Sequence, residues 1–178
     1  METFSHEIVY EQSGNLNPWY VTGFAEGEGS FTYSRSGLQP YFAIKLTSIE
    51  EKILRQIQDF FGGIGKIYPV KPFHHDSPGA GKTKAASYFR VSKISDFRAI
   101  LQHFDTYKLL GLKGEAYLIW RKMAIIKLNN PKSRKHNLEL IKLAKELSAI
   151  SPRNQEWKPY IQLEVMKSEP SIPISQSI

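Results

Sequence analysis

The stretch NPWYVTGFAEGEGSF, residues 17–31, decides the fold of this chain. Asn17 is a favourable helix N-cap residue, because its side chain can accept a hydrogen bond from a free N–H of the first turn. Pro18 suits the first helical position, where its fixed φ fits and its missing N–H is not needed. Gly29 favours the end of the same helix. The stretch therefore predicts a helix over residues 17–28 that leads directly into a strand.

Glycines and carboxylates on this helix indicate what surrounds it. Gly23 and Gly27 are four residues apart and share one face, so they form a bare stripe that another helix backbone can approach closely. Each glycine costs about 1 kcal/mol of helix stability relative to alanine, which close packing would offset. Glu26 and Glu28 differ by a rotation of about 200°, which disfavours a paired general acid and base of the glycosidase kind. Glu28 lies at the helix end, where its carboxylate can reach a cation beside a sheet.

The residues after this helix predict an α+β domain with two pairs of strands. Residues 30–36 and 39–47 alternate between apolar and polar side chains, as half-buried strands do, and Ser36-Gly37 is the turn between them. Ser48 to Glu51 reads as a capping box. A stripe of apolar residues at helical spacing follows it: Ile49, Ile53, Ile57 and Phe60. Strands are then predicted over residues 64–70 and 85–91, and helices over residues 95–104, 113–128 and 137–150.

The composition is that of a globular protein and suggests a polyanionic partner. The 178 residues are 41% hydrophobic and include no cysteine, which predicts one compact domain and excludes a disulfide framework, a thiolate zinc site and a cysteine nucleophile. The net charge is +7, and all of it lies in residues 29–48 and 63–93, where eight basic residues stand against the single acid Asp76. A sheet backed by helices would then present a basic, hydroxyl-rich face, as nucleic-acid-binding sheets do. A solvated sheet face is the simpler alternative.

Residues 19–31 resemble the signature helix of the LAGLIDADG homing endonucleases. The resemblance continues in the same order through residues 42–46, 61–65, 88–92, 103–105 and 109–117, and so covers roughly residues 17–150. It implies an αββαββα core with a saddle-shaped antiparallel sheet, backed by helices, that lies in the DNA major groove. It also implies that two signature helices pack at a two-fold or pseudo-two-fold axis, which suits the glycine stripe.

The same resemblance implies a catalytic centre. Glu28 falls on the acidic position that binds the catalytic divalent ions, and Gly27 would add its backbone carbonyl. Mg²⁺ is the expected ion, with Mn²⁺ as a substitute, because the chemistry needs oxygen ligands for a hard cation. Lys113 resembles the active-site lysine of the family, although a solvated lysine at a helix start is the simpler interpretation. The polar residue expected near the end of the second strand is not evident, since Leu46 occupies its place; Lys45 and Thr47 are the weaker candidates.

Alternation along the strands predicts which side chains face the DNA. The outward residues are Ser30, Thr32, Ser34, Ser36, Tyr41, Ala43, Lys45, Lys66, Tyr68 and Ser87, with either Phe89 or Arg90. Arg35 joins them if the first strand twists near its tip. Lys71, Lys82 and Lys84 are expected to hold phosphates, which position a duplex without reading its sequence.

One signature helix in the chain predicts a homodimer with a partly palindromic target. The contact between subunits would be made by Tyr20, Gly23, Phe24 and Gly27. The domain is expected to cover residues 17–150, with an N-terminal extension over residues 1–16 and a C-terminal tail over residues 151–178.

Two functions remain open at this point. The first is a site-specific double-stranded DNA endonuclease of the intron-homing kind. The second is a catalytically silent nucleic-acid-binding module, either a maturase that binds intron RNA during splicing or a DNA-binding regulator. No membrane partner is expected. Residues 1–16 contain three glutamates and no lysine or arginine, so no import signal is expected. A gene translated inside a mitochondrion or chloroplast and a cytoplasmic protein both fit that pattern.

Overall fold

The computed structural model describes residues 16–72, 83–131 and 138–150. Short 3₁₀ turns over Ser48–Glu50 and Ile94–Asp96 precede the second and third helices. The helices and strands are α1 Pro18–Glu28, β1 Gly29–Ser34, β2 Gln39–Thr47, α2 Glu51–Phe60, β3 Lys66–Val70, β4 Ala86–Val91, α3 Phe97–Thr106, α4 Gly111–Asn129 and α5 Leu138–Ile150. This order confirms the predicted α+β architecture.

The four strands form one antiparallel sheet in the order β1-β2-β4-β3. Its inner face is apolar: Phe31 pairs with Phe42, which pairs with Val91, and Ile44 pairs with Phe89. All five of these side chains are buried. The helices cover this inner face and leave the opposite face open, which is the arrangement that one apolar face per strand predicts.

The core beneath the sheet is rich in aromatic rings. The Phe31 ring lies 5.0 Å from that of Phe42, 5.3 Å from that of Phe104 and 5.6 Å from that of Trp120, measured between centroids. Most of these pairs meet edge to face, the favoured geometry for aromatic side chains. Phe104 lies on α3 and Trp120 on α4, so the cluster fixes both helices to the sheet. Within the described ranges, no helix is both long and apolar enough to cross a membrane.

The first helix begins and ends where its sequence predicts. The Asn17 side chain accepts a hydrogen bond of 2.8 Å from the Trp19 N–H, and Pro18 occupies the first turn. Gly29 ends α1 and starts β1 without an intervening loop. A Cβ atom at Gly29 would lie 2.5 Å from the Ala25 carbonyl oxygen. Only glycine fits this junction, and the junction sets the direction in which β1 leaves the helix.

A buried histidine ties α1 to α3. Thr22 donates its hydroxyl hydrogen to the Tyr107 carbonyl at 3.1 Å, so the Nε2 of His103 must donate to the Thr22 oxygen, also at 3.1 Å. Aromatic rings of Phe60, Phe61 and Tyr107 surround the imidazole. Burial lowers the pKa of His103 to about 4. The neutral imidazole is therefore the form that the fold accommodates.

The capping box predicted before α2 does not form. Residues 48–50 make a 3₁₀ turn instead, and the Ser48 N–H donates to the Ala85 carbonyl at 3.0 Å. A 3₁₀ turn advances about 120° per residue rather than 100°, which breaks the helical phase ahead of Glu51. Ile49 is consequently 94% exposed, and α2 buries Leu54 and Ile57. The predicted stripe was thus wrong at its first position.

Candidate nucleic-acid interface and catalytic centre

The open side of the sheet, which we call the outer face, is ordered in cross-strand rows. One row is Thr32 and Tyr41; the next is Ser30, Ala43, Arg90 and Lys66; the third is Lys45, Tyr88 and Tyr68; the last is Thr47, Ala86 and Val70. Basic, aromatic and hydroxyl side chains therefore alternate across all four strands. None of these outer-face residues is acidic.

The structure corrects the predicted phase of β4. Ser87 and Phe89 point inward and are 1% and 0% exposed. The Ser87 hydroxyl donates to the Glu51 carboxylate, which lowers the pKa of Glu51, and Phe89 joins the core. Arg90 therefore faces outward, and Tyr88 faces outward beside it without having been predicted. The sequence could have predicted this phase from the apolar residues Phe89 and Val91. If both lie in the core, the residues that precede them, Tyr88 and Arg90, must occupy the opposite face.

The hairpin turn between β1 and β2 carries Arg35 and Ser36, and both are exposed. The hydroxyls of Ser34 and Ser36 are 3.2 Å apart. Lys127 on α4 supports this turn from beneath, since its Nζ donates to the Gly37 carbonyl at 3.3 Å. Burial lowers the pKa of Lys127. The helical layer thus holds the turn that extends beyond the outer face.

The predicted phosphate-binding lysines border one connection. Lys71 follows β3 and Lys84 precedes β4, and both side chains are exposed. Lys82 lies outside the described residues. Lys71 and Lys84 therefore lie at the edge of the outer face formed by its last row, Thr47, Ala86 and Val70.

At the end of α1, the structure brings Glu28 and Lys113 together. Glu28 is exposed, and Lys113 on the first turns of α4 donates a hydrogen bond from Nζ to the Gly29 carbonyl. Burial lowers the pKa of Lys113, and the negative charges of Glu26 and Glu28 oppose that shift. A carboxylate and an ammonium group that are far apart in sequence thus share one corner of the sheet.

Glu26 fixes the start of α4 and therefore the position of Lys113. Its carboxylate oxygen accepts a 2.9 Å hydrogen bond from the Leu110 N–H, 84 residues away. The chain then turns at Gly111, whose φ of 55° favours glycine. A carboxylate at a helix N-terminus also interacts favourably with the helix dipole. Sequence reasoning missed this contact, because no local pattern links α1 to α4.

The two candidate polar residues of β2 have different surroundings. Gly29 pairs with Ile44, so Lys45 continues β2 alongside the end of α1 and faces outward, exposed. Thr47 lies two residues further along and donates its hydroxyl to Glu50 at 2.9 Å. Lys45 is therefore adjacent to the position that pairs with Gly29, and Thr47 is three residues from it.

The donor set at this corner fits a divalent ion only in part. Across the described ranges, no group of three or more histidine, cysteine or acidic residues could hold a metal. Glu28 offers hard carboxylate oxygens, and Gly27, also exposed, precedes it at the helix end. One chain thus supplies one carboxylate, and a complete oxygen shell would need phosphate oxygens, water or a second copy of this corner.

The remaining face of α1 is open. Tyr20 is 47% exposed, and its ring lies 5.9 Å from that of Phe24. Cβ atoms built on Gly23 and Gly27 meet no atom of the described residues within 4 Å. The predicted contact residues for a second signature helix therefore form one continuous stripe.

A cavity of about 440 Å³ joins the outer face to the corner that holds Glu28 and Lys113. It lies between the edge strand β1 and the helices α4 and α5, and Ser30, Thr32, Tyr41, Tyr88 and Lys113 line it. Tyr33 closes its far side through a 2.8 Å hydrogen bond to Ser148 on α5. Lys113 is thus accessible from the side on which a polyanion would bind.

Comparison with known proteins shows what the chain is similar to. Residues 21–124 match the sequence profile of a family described as LAGLIDADG endonuclease. An uncharacterized 50.9 kDa protein in ND4 intron 1 of Podospora anserina is 33% identical over 139 residues, which are 72% of this chain and 27% of that protein. A probable intron-encoded endonuclease 2 of Neurospora crassa is 30% identical over 125 residues, 65% of this chain and 25% of that protein. The chain spans about a quarter of the length of these relatives.

Solved structures share the fold. The I-SmaMI LAGLIDADG homing endonuclease bound to cleaved DNA matches with a TM-score of 0.62 at 22% identity, over 93% of this chain and 53% of that chain. The homing endonuclease I-TnaI matches with a TM-score of 0.55 at 18% identity, over 86% of this chain and 97% of that chain.

Proposed function

Because this chain belongs to the LAGLIDADG endonuclease family, we propose that it is a site-specific double-stranded DNA endonuclease that hydrolyses phosphodiester bonds with a divalent metal ion. One observation carries the proposal: Lys113 donates a hydrogen bond to the Gly29 carbonyl, directly after the exposed Glu28, and the charge of Glu28 acts on it. We call this corner, where α1 runs into the outer face, the catalytic corner. A DNA-binding module without activity has no need for a carboxylate and an ammonium group at this corner.

The outer face supplies the DNA-binding surface. Its rows carry Lys45, Lys66 and Arg90 and no carboxylate, so a duplex laid across the sheet would neutralise phosphates with these cations and release counterions. The exposed Arg35 lies on the turn beyond the sheet, where phosphates of the same duplex would pass. The I-SmaMI homing endonuclease, which has the same fold, was solved bound to cleaved DNA, which supports DNA as the partner of this chain.

The catalytic corner would act on a phosphate at the edge of that surface. Glu28 and the Gly27 carbonyl would hold a Mg²⁺ or Mn²⁺ ion, which supplies a Lewis acid that activates water and stabilises charge on the phosphate. Lys113 is fixed by the Gly29 carbonyl and presents its remaining N–H groups to the attacking water or to a phosphate oxygen. Lys45 would add a cation from the other side of the corner.

Two such corners are needed to cut both strands, and the open stripe on α1 supports the way they are brought together. Tyr20, Gly23, Phe24 and Gly27 would pack against the same stripe of a second copy, which places one Glu28 against each DNA strand. The target would then be partly palindromic. The names of two relatives state that one lies in an intron and that the other is encoded by an intron. This supports an intron-borne gene and intron homing for this chain as well.

The test compares binding with cleavage. Duplexes selected by the wild-type chain from a random pool are offered to Glu28→Gln and to Glu115→Gln, an exposed acid on α4 that serves as the matched control. We expect Glu28→Gln to lose more than about 100-fold in cleavage rate while its affinity for the site is kept, and Glu115→Gln to behave like wild type. Equal cleavage by all three proteins would refute the role of Glu28. Binding without cleavage by the wild type would instead identify the silent splicing or regulatory module.

A further inference from the structure

The side chain of Arg90 has an unusual placement at the centre of the outer face. Its guanidinium carbon lies 3.8 Å from the centroid of the Tyr41 ring, the distance of a cation–π contact. Arg90 pairs across the strands with Ala43, two residues after Tyr41 in β2. Ala43 is 1% exposed even though it faces outward. The arginine therefore lies across this small residue and onto the ring, rather than extending freely from the sheet.

The stack holds the guanidinium without engaging its hydrogen-bonding groups. The Nε of Arg90 is buried and has no hydrogen-bond partner, and the described residues provide no ion pair for this side chain. Lys66 lies directly across from Arg90 on β3. Two like charges at directly opposite positions destabilise the folded protein when no ligand is bound. The buried Nε is out of reach of a ligand, so the terminal N–H groups of the guanidinium, held by the stack next to a second cation, are the groups available to an external acceptor.

The hydroxyl group of Tyr88 interacts with that of Tyr41, the residue beneath the arginine. Tyr88 lies in the adjoining row of the outer face, next to Arg90 along β4, and lines the same cavity as Tyr41. Burial raises the pKa of Tyr88, and the interaction with the Tyr41 hydroxyl adds to that shift. Tyr41 thus interacts with Arg90 through its ring and with Tyr88 through its hydroxyl group.

On the premise of the proposed function, we propose that Arg90 reads a guanine in each half of the DNA target, and that Tyr41 is the positioning residue that aims it. The guanidinium fork matches the O6 and N7 acceptors of guanine in the major groove, and no other base offers that pair of acceptors. A guanidinium also matches a phosphate bidentately, and that alternative predicts an equal loss of affinity for every sequence when Arg90 is replaced. Pre-orientation on Tyr41 lowers the entropy lost when the fork binds.

The experiment determines base preferences by selecting binding sites from a random duplex pool in Ca²⁺. Four variants are compared with wild type: Arg90→Lys, Tyr41→Leu, Tyr41→Phe and the control Arg98→Lys, an exposed arginine on α3 away from the sheet. Thermal unfolding verifies that each variant is folded. We expect the wild type to prefer guanine at one position of each half-site by about 5- to 150-fold, the range for a bidentate contact.

Arg90→Lys should abolish that preference and leave other positions unchanged. Tyr41→Leu should weaken it, and Tyr41→Phe, which keeps the ring, should retain most of it. An unchanged preference in Arg90→Lys, or an equal loss of affinity at every position, would overturn the inference and identify Arg90 as a phosphate contact or a structural residue. A wild-type chain that enriches no duplex would instead refute the proposed function itself.

Discussion

Replacing Gly23 by alanine separates the stability of one subunit from that of its assembly. Gly23 lies in the middle of α1, and a Cβ atom there meets nothing within 4 Å. Within a single chain, the substitution therefore adds only helix propensity, about 1 kcal/mol in the free energy of unfolding. For a domain of this size that corresponds to a rise of about 2–4 °C in Tm. Gly37→Ala, in the β1–β2 turn with equally open space, is the matched control.

The sign of the effect reverses if α1 packs against a second α1. Where two helices pack closely at a glycine, the contact has no room for an extra methyl group. Overpacking of this kind would weaken the association of the two subunits by about 1–3 kcal/mol. Urea unfolding at low protein concentration should then show the gain of about 1 kcal/mol. Light scattering at high concentration should show weaker association, and cleavage of a two-sided DNA target should fall. A Gly23→Ala chain that is stabilised equally at every concentration, with unchanged association and cleavage, would refute the proposed contact.

Two further predictions concern buried and bridging groups. The pKa of His103 is lowered to about 4 from 6.5, because the folded protein favours the neutral imidazole. The contribution of His103 to the free energy of unfolding is therefore fully present above pH 6.5 and is lost as the pH falls towards 4. Urea titrations should show a loss of about 2 kcal/mol between pH 7 and pH 5, and His103→Gln should remove most of this dependence; an unchanged pH profile in that variant would assign it to other groups. Glu26→Ala should cost about 1 kcal/mol by removing the acceptor for Leu110, and Glu26→Gln, which keeps an amide oxygen, should cost less. Equal unfolding midpoints for wild type and Glu26→Ala would contradict this role.

The elements that follow from local chemistry could be predicted from the sequence. The bounds of α1 depend on a cap, a proline and a glycine that all lie within or beside the helix, and the outward residues of β1 and β2 follow from alternation alone. The same alternation was available for β4, where Phe89 and Val91 place Tyr88 and Arg90 on the outer face. Ser87 was wrongly placed there because alternation along β4 was given the wrong phase; its hydroxyl is stable in the interior because it has a partner, the Glu51 carboxylate.

Contacts between distant elements could not be predicted in this way. The capping box predicted at Ser48 does not form, because the Ser48 N–H donates to the Ala85 carbonyl instead. Only the folded sheet brings Ala85 within reach of Ser48. Glu51 receives the Ser87 hydroxyl from 36 residues away, and Glu26 meets Leu110 across 84. Such pairs carry no periodicity, so a sequence indicates their chemistry but not their partners. The proposed catalytic corner is of this kind, and the resemblance of residues 19–31 and 109–117 to a known family was what indicated it.

The most direct test of the account is cleavage by the wild-type chain itself. The purified protein is incubated with a large pool of random and partly palindromic duplexes in Mg²⁺ and, separately, in Ca²⁺, and the new DNA ends are sequenced. The account predicts recurrent double-strand breaks at one partly palindromic site in Mg²⁺, with none in Ca²⁺. Tight and selective binding without breaks in either ion would contradict it, because Glu28 and Lys113 would then share a corner of the sheet without acting on DNA.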